Sequence, residues 1–173
     1  LRGQFGAALR SVACMTRAPS CPGCPLLPSC PYTRIFESPP PAKGSHALQD
    51  FSQIPHPYLI EPPTPGARVL DAEEDFTFGL VLIGHAREQL ALILFALQRA
   101  FSQGLTRQRI PCDLWQVEHL DENNRAQPIW HIDHPTLQPH TNTLSVPSNT
   151  QTATQTIASS QDGTLATGQN VTQ

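Results

Sequence analysis

Residues 1–34 contain no Asp or Glu, and no Lys or Arg follows Arg125. The chain as a whole is mildly acidic, with 11 Lys and Arg against 14 Asp and Glu for a net charge of -3. That balance excludes a uniformly basic protein that coats nucleic acid without selectivity. It leaves room for a local basic patch built from Arg2, Arg10, Arg17 and Arg34. Long hydrophobic runs are missing too. The longest, residues 90–97, is far too short to span a bilayer, and no export signal is visible. We therefore expect a soluble, cytoplasmic protein. Its 173 residues suffice for one ordinary core and part of a second. The sequence opens on Leu1 directly inside a helical pattern, so the natural chain is expected to be longer at its start.

What is present divides into regular segments and punctuation. In LRGQFGAALRSVA (1–13), Leu1, Phe5, Ala8, Leu9 and Val12 share one helical face. Gly3 and Gly6 leave that helix unusually bare, which suits tight packing on a sheet or close approach of a phosphate. PHPYLIEPP (55–63) predicts a short strand closed by prolines, hence an edge. FTFGLVLIG (76–84) is the best strand candidate, rich in aromatic and β-branched residues. Residues 86–103 predict the best helix, with Leu90, Ile93, Leu94, Leu97 and Phe101 on one face and Gly104 as its C-terminal cap. CDLWQVEHL (112–120) alternates as a strand does.

The order is helix, strand, strand, helix, strand. One strand before residue 1 would make it β-α-β-β-α-β, so the expected fold is an α+β, ferredoxin-like domain over residues 1–120 lacking its first strand. Without that strand, the second and last strands have no shared partner. Residues 121–173 are expected to be linker and tail. Of residues 141–173, 21 are Ser, Thr, Asn or Gln, a composition that buries too little apolar surface to offset chain entropy, so disorder is expected there.

Four of the five cysteines, Cys14, Cys21, Cys24 and Cys30, follow the spacing C-x6-C-x2-C-x5-C. Four thiolates within 17 residues can close around one tetrahedral Zn²⁺ or one [4Fe–4S] cluster. Pro19, Pro22, Pro25, Pro28 and Pro31 stiffen the loop, and Arg17 and Arg34 are expected to favour ionised thiols. Two disulfides are the alternative, disfavoured where no export signal is seen. Cys112 stands apart and reads as a small hydrophobe.

Two resemblances bear on function. CMTRAPSCPGCPLLPSCPY is similar to the iron–sulfur loop of endonuclease III-type DNA glycosylases, whose helix-hairpin-helix is not found here. Taken in order, LRGQFGAALRSVACMTRAPSCPGCPLLPSCPYTRIFE, PHPYLIEPP and FTFGLVLIGHAREQLALILFALQRAFSQGLTRQR resemble another family. This is the amino-terminal ferredoxin-like domain of CRISPR-associated repeat-RNA processing endoribonucleases, of the RAMP superfamily. The resemblance implies metal-independent cleavage within CRISPR repeats, in which a ribose 2′-hydroxyl attacks the adjacent phosphate. The products are a 2′,3′-cyclic phosphate and a 5′-hydroxyl. It also implies CRISPR repeat RNA as partner, and other CRISPR effector subunits beside it. Many relatives carry His in the first helix, as FGHAL, where this chain has Ala7, and a glycine-rich stretch where it has Thr106-Arg107-Gln108-Arg109. The second ferredoxin-like domain is absent, so this piece is not expected to cut RNA alone. The alternatives are a non-catalytic crRNA-binding subunit and an iron–sulfur DNA repair enzyme.

Cleavage of this kind needs a general base and a cation for the developing phosphorane charge. His46, in a polar loop after the cysteines, is the candidate base, whereas His56 and His85 read as structural or solvated. The candidates for RNA contact are Arg2, Arg10, Arg17, Arg34, Arg107 and Arg109. WHIDHP gathers His131, Asp133 and His134 in sequence but lacks helical spacing, so it reads as linker.

Overall fold

The structure, a computed structural model, describes residues 1–39, 54–63 and 69–140. The chain is an α+β protein. Its elements run α1 (Arg2–Ala13), β1 (Tyr58–Glu61), β2 (Gly79–Leu82), α2 (Leu90–Ser102), β3 (Gln116–Leu120) and β4 (Ala126–His131). Up to β3 this is the order of a ferredoxin-like domain without its first strand. His46 and the polar tail from residue 141 lie outside the described residues.

The described residues divide into two compact units, one within 1–117 and 130–137, the other 118–129 with 138–140. In the first, α1 packs against α2. The periodicity of α1 puts Phe5 and Leu9 on its inner face, and that of α2 puts Ile93, Leu97 and Phe101 there, each almost fully buried. Burying each such side chain contributes about 1.5–3 kcal/mol. β1 and β2 pair antiparallel, Tyr58 opposite Leu82 and Glu61 opposite Gly79. Tyr58 points inward and Leu59 outward, the alternation a two-sided strand requires.

Helix α2 is preceded by a 3-10 stretch over Gly84–Gln89, so residues 86–89, expected as its first turn, are wound more tightly. At the other end Gly104 adopts φ 94° and its N–H donates to the Phe101 carbonyl at 2.9 Å. This left-handed conformation, with the Arg109 backbone pressed against the Cα, is why glycine stands there.

β3 begins at Gln116, not at Cys112. Val117 and His119 turn inward from it, while Leu114 just before it is buried and Trp115 is exposed. As expected, β2 and β3 share no partner; β1–β2 and β3–β4 are separate two-stranded sheets. The second pairing was not anticipated. Residues 126–131, expected as linker, form β4, which folds back on β3 through a turn held by Asp121. Its Oδ1 accepts from the N–H groups of Asn123 and Arg125, both at 2.8 Å.

Candidate functional site

Helix α1 runs straight into the cysteine loop. Cys14 is its C-terminal cap, already extended, and its N–H donates to the Arg10 carbonyl at 2.9 Å. The Arg10 side chain reaches back over the loop and donates to the carbonyls of Ala18 (2.7 Å) and Pro19 (2.8 Å). Beyond it the loop is a succession of tight turns. Cys24 N–H bonds the Cys21 carbonyl at 3.0 Å, Leu27 N–H the Cys24 carbonyl at 3.1 Å, and Cys30 N–H the Leu26 carbonyl at 2.8 Å. Thr33, buried to 2 % exposure, lies with its hydroxyl 2.6 Å from the Leu27 carbonyl and 3.0 Å from that of Cys30. Thus the chain entering and the chain leaving the loop are both anchored by side chains outside it.

All four cysteines are free of disulfides, half-buried, and line one cavity of about 110 Å³ together with Thr16 and Leu27. The Thr16 hydroxyl sits between two of them, 3.8 Å from Cys14 Sγ and 3.6 Å from Cys24 Sγ. Its hydrogen bond is the main cause that lowers the Cys14 thiol pKa, against some burial, with help from the Arg17 backbone and then from the Arg10 charge. Burial pushes the Cys21 thiol up, and the Glu37 carboxylate adds to this. The charge that acts on Cys14 and Cys21 is thus that of Arg10, while Arg17 acts on Cys14 through its backbone. As the side chains stand, no three Cys, His, Asp or Glu side chains among the described residues are gathered closely enough to share a single metal ion. The donor set and the shared cavity nevertheless suit a thiolate-bound group. Cys112 lies outside this cavity; its Sγ approaches the Ile110 carbonyl at 3.7 Å.

An aromatic stack supports the loop from below. Tyr32 and Phe36, one turn apart on a π-helical turn over Thr33–Glu37, stack at 5.7 Å, and Phe36 stacks on Tyr58 at 6.3 Å. Phe36 fits because the α1 position facing it is Gly6, where a side chain would overlap the ring. Gly6 thus serves packing, while Gly3 faces open space. Two arginines of α1 cover the same stack, Arg2 over Phe36 at 5.7 Å and Arg10 over Tyr32 at 5.9 Å. Arg2 also donates to Tyr58 Oη at 3.3 Å. The Tyr32 hydroxyl donates to Glu37 Oε1 at 3.0 Å, and burial with this carboxylate raises its pKa to about 12.

The arginines singled out for RNA contact therefore separate. Arg10 is committed to the loop, and Arg2 is docked on the stack with its guanidinium still exposed. Arg17, Arg34, Arg107 and Arg109 are exposed, and none is held in an ion pair among the described residues. Arg107 and Arg109 sit in the turn after α2, closed by the Leu105–Ile110 bridge.

Several histidines within the described residues are occupied locally, whereas His119 Nδ1 is buried without a hydrogen-bond partner among those residues. His56 packs against Phe36 and Tyr58 with Nδ1 3.4 Å from Ser38 Oγ, and burial followed by the Arg2 charge lowers its pKa. His85 Nε2 lies 3.3 Å from the Arg34 carbonyl. At the end of β4, His131 Nδ1 is 3.5 Å from Asp133 Oδ2. In the second unit the rings of His119 and His140 lie 5.3 Å apart.

The family model of AF_1859_N, an N-terminal domain, matches residues 1–142. The chain belongs to this family. AF_1859_N, so matched, includes both helices, all four strands and the complete cysteine loop, and it ends where the polar tail begins. Its description names no activity. No curated protein and no solved structure matches the chain.

Proposed function

We propose that this AF_1859_N domain binds CRISPR repeat RNA as the amino-terminal part of a RAMP-superfamily processing endoribonuclease. The reading rests on the ordered FGAALR helix, cysteine loop and late helix. The observation that carries it is the set of exposed arginines without an ion pair among the described residues, Arg17 and Arg34 around the loop and Arg107 and Arg109 after α2. Guanidinium groups free of ion pairs are available to phosphate, which they bind through paired hydrogen bonds. In the longer protein the chemistry would be attack of a 2′-hydroxyl on the adjacent phosphate, needing a general base and no metal ion.

A second reading is favoured by Ala7. It is exposed on α1 at the position where relatives carry histidine. An exposed methyl group cannot take up a proton, so this helix supplies no base, which is the property of a subunit that retains crRNA without cutting it. The test measures binding of repeat RNA by fluorescence anisotropy across a salt series, then cleavage in EDTA by the longer protein. Binding with a steep salt dependence, weakened at least tenfold in R17A/R34A, supports the RNA reading. Cleavage in EDTA selects the enzyme, and binding without cleavage selects the retaining subunit. No preference for repeat RNA over an unrelated RNA sinks both.

A further inference from the structure

We infer that the Cys14–Cys30 loop holds a [4Fe–4S] cluster and not a single metal ion. The donors come first. Four cysteines free of disulfides, spaced C-x6-C-x2-C-x5-C, line one cavity. Partly exposed thiols are open to oxidation, and ligation by a metal group protects them.

The size of the cavity selects among thiolate-bound groups. A tetrahedral zinc draws its sulfurs to about 2.3 Å from the ion, which places them about 3.8 Å from one another and leaves no void between them. Here the four cysteines are among the residues lining a cavity of about 110 Å³, and no three of them are near enough to share one ion. A cubane of four irons and four sulfides fills a space between its ligands and keeps the four cysteine sulfurs farther apart. The loop also resists contraction. Closing it on one ion would strain turns fixed at Cys21–Cys24, Cys24–Leu27 and Leu26–Cys30, the Arg10 bonds to Ala18 and Pro19, and the Thr33 bridge. Arg10, anchored on the loop, supplies positive charge beside a group whose four thiolates make it anionic.

Loading is written as ligand exchange. Each cysteine thiol replaces a small thiolate on one iron, its proton leaves with the displaced thiol, and no electrons are transferred. The full chain is incubated anaerobically with a small-thiolate-ligated [4Fe–4S] cluster, or separately with Zn²⁺, then desalted and analysed for iron, sulfide and zinc. The expected result is about four irons and four sulfides per chain, with broad visible absorption, and excess Zn²⁺ failing to displace them. C112S loads equally; C24S/C30S retains less than a quarter of the iron. Because that variant can misfold, mass spectrometry after alkylation gives a second reading on the unmodified chain. Cys14, Cys21, Cys24 and Cys30 become protected by loading and Cys112 does not. One zinc per chain that excludes the cluster overturns the inference. So does absence of any bound metal, or iron that persists in C24S/C30S, or four thiols of the unmodified chain that stay open to alkylation after loading. These readouts involve no RNA, so they stand or fall apart from the function proposed above.

Discussion

Gly6 and Gly3 lie one turn apart on the same helix, and the structure sets opposite outcomes for the same substitution at the two. An alanine in the interior of a helix is favoured over glycine by about 1 kcal/mol, so propensity alone predicts that G6A stabilises. At Gly6, however, the new methyl would fall inside the Phe36 ring, with Cε1 only 2.8 Å away. The ring, though partly buried, is hemmed in on several sides. It stacks on Tyr32 and on Tyr58, meets Phe5 edge-on at 6.3 Å, and lies under Arg2. Overpacking of this kind costs about 1–3 kcal/mol, and each disturbed aromatic pair about 0.5–1.5 kcal/mol more. Against the gain in propensity, the expected net loss for G6A is about 1–2 kcal/mol. At Gly3 nothing lies within 4 Å of the added methyl, so G3A gains a few tenths up to about 1 kcal/mol. Urea unfolding followed by circular dichroism reads both, with a matching slope required so that midpoints compare like states. F36L in the G6A background isolates the cause, since a smaller, flexible side chain relieves the overlap and the double variant recovers part of the loss. If G6A proves as stabilising as G3A, or F36L rescues nothing, the seating of Phe36 on α1 is wrong.

Two other perturbations separate structure from binding. R10A removes two hydrogen bonds to the loop carbonyls and the contact with Tyr32, and is expected to destabilise by about 1–2 kcal/mol after allowance for partial exposure. R17A, exposed and unpaired, should stay within about 0.5 kcal/mol of the parent by the same unfolding assay. Equal losses would contradict the division of roles between them. Tyr32 supplies a pH signature. Its folded pKa of about 12 lies above the ordinary 10, so its contribution to stability is fully present below pH 10 and is lost as pH rises from 10 toward 12. Ultraviolet titration of the phenolate should show one of the two tyrosines ionising late, and Y32F should abolish that phase. E37Q should move it back toward 10; an unchanged titration in E37Q would refute the Glu37 contact as a cause.

The regular elements were legible where burial imposes a period. The faces of α1 and α2 follow directly from Phe5, Leu9, Ile93, Leu97 and Phe101, and Gly104 announced the end of α2 because only glycine is comfortable at that φ. Local patterns failed where the partner is remote. β4 carries Pro128 and only Ile129 and Trp130 as buried residues, too few to show alternation, and its pairing with β3 is set by the Asp121 turn. The 3-10 winding of Gly84–Gln89 is likewise invisible in a helical pattern, since so short a stretch is too brief for periods of about 3.0 and 3.6 residues to leave distinct patterns. At the site, the spacing of the cysteines carried their convergence. The fate of the arginines did not, because Arg10 is bound to its loop through backbone carbonyls, which leave no mark in residue identity. Gly6 was read correctly as a place of close approach, but the approaching group is a ring 30 residues on, which only the fold brings back.

The β1–β2 ladder also bears on how the protein behaves when concentrated. Leu59, Val81 and Ile83 are exposed on or beside two paired strands, the combination from which intermolecular sheets grow. Yet β1 is only four residues long, and prolines at 55, 57, 62 and 63 bracket it. Each of them lacks the N–H that a lengthening ladder would use. A neighbouring molecule that docks along β1 is thus offered a few hydrogen bonds and then a dead stop in both directions. Such encounters stay short-lived, so the exposed leucine and valine are tolerated at concentrations where an unbracketed strand of the same composition would precipitate.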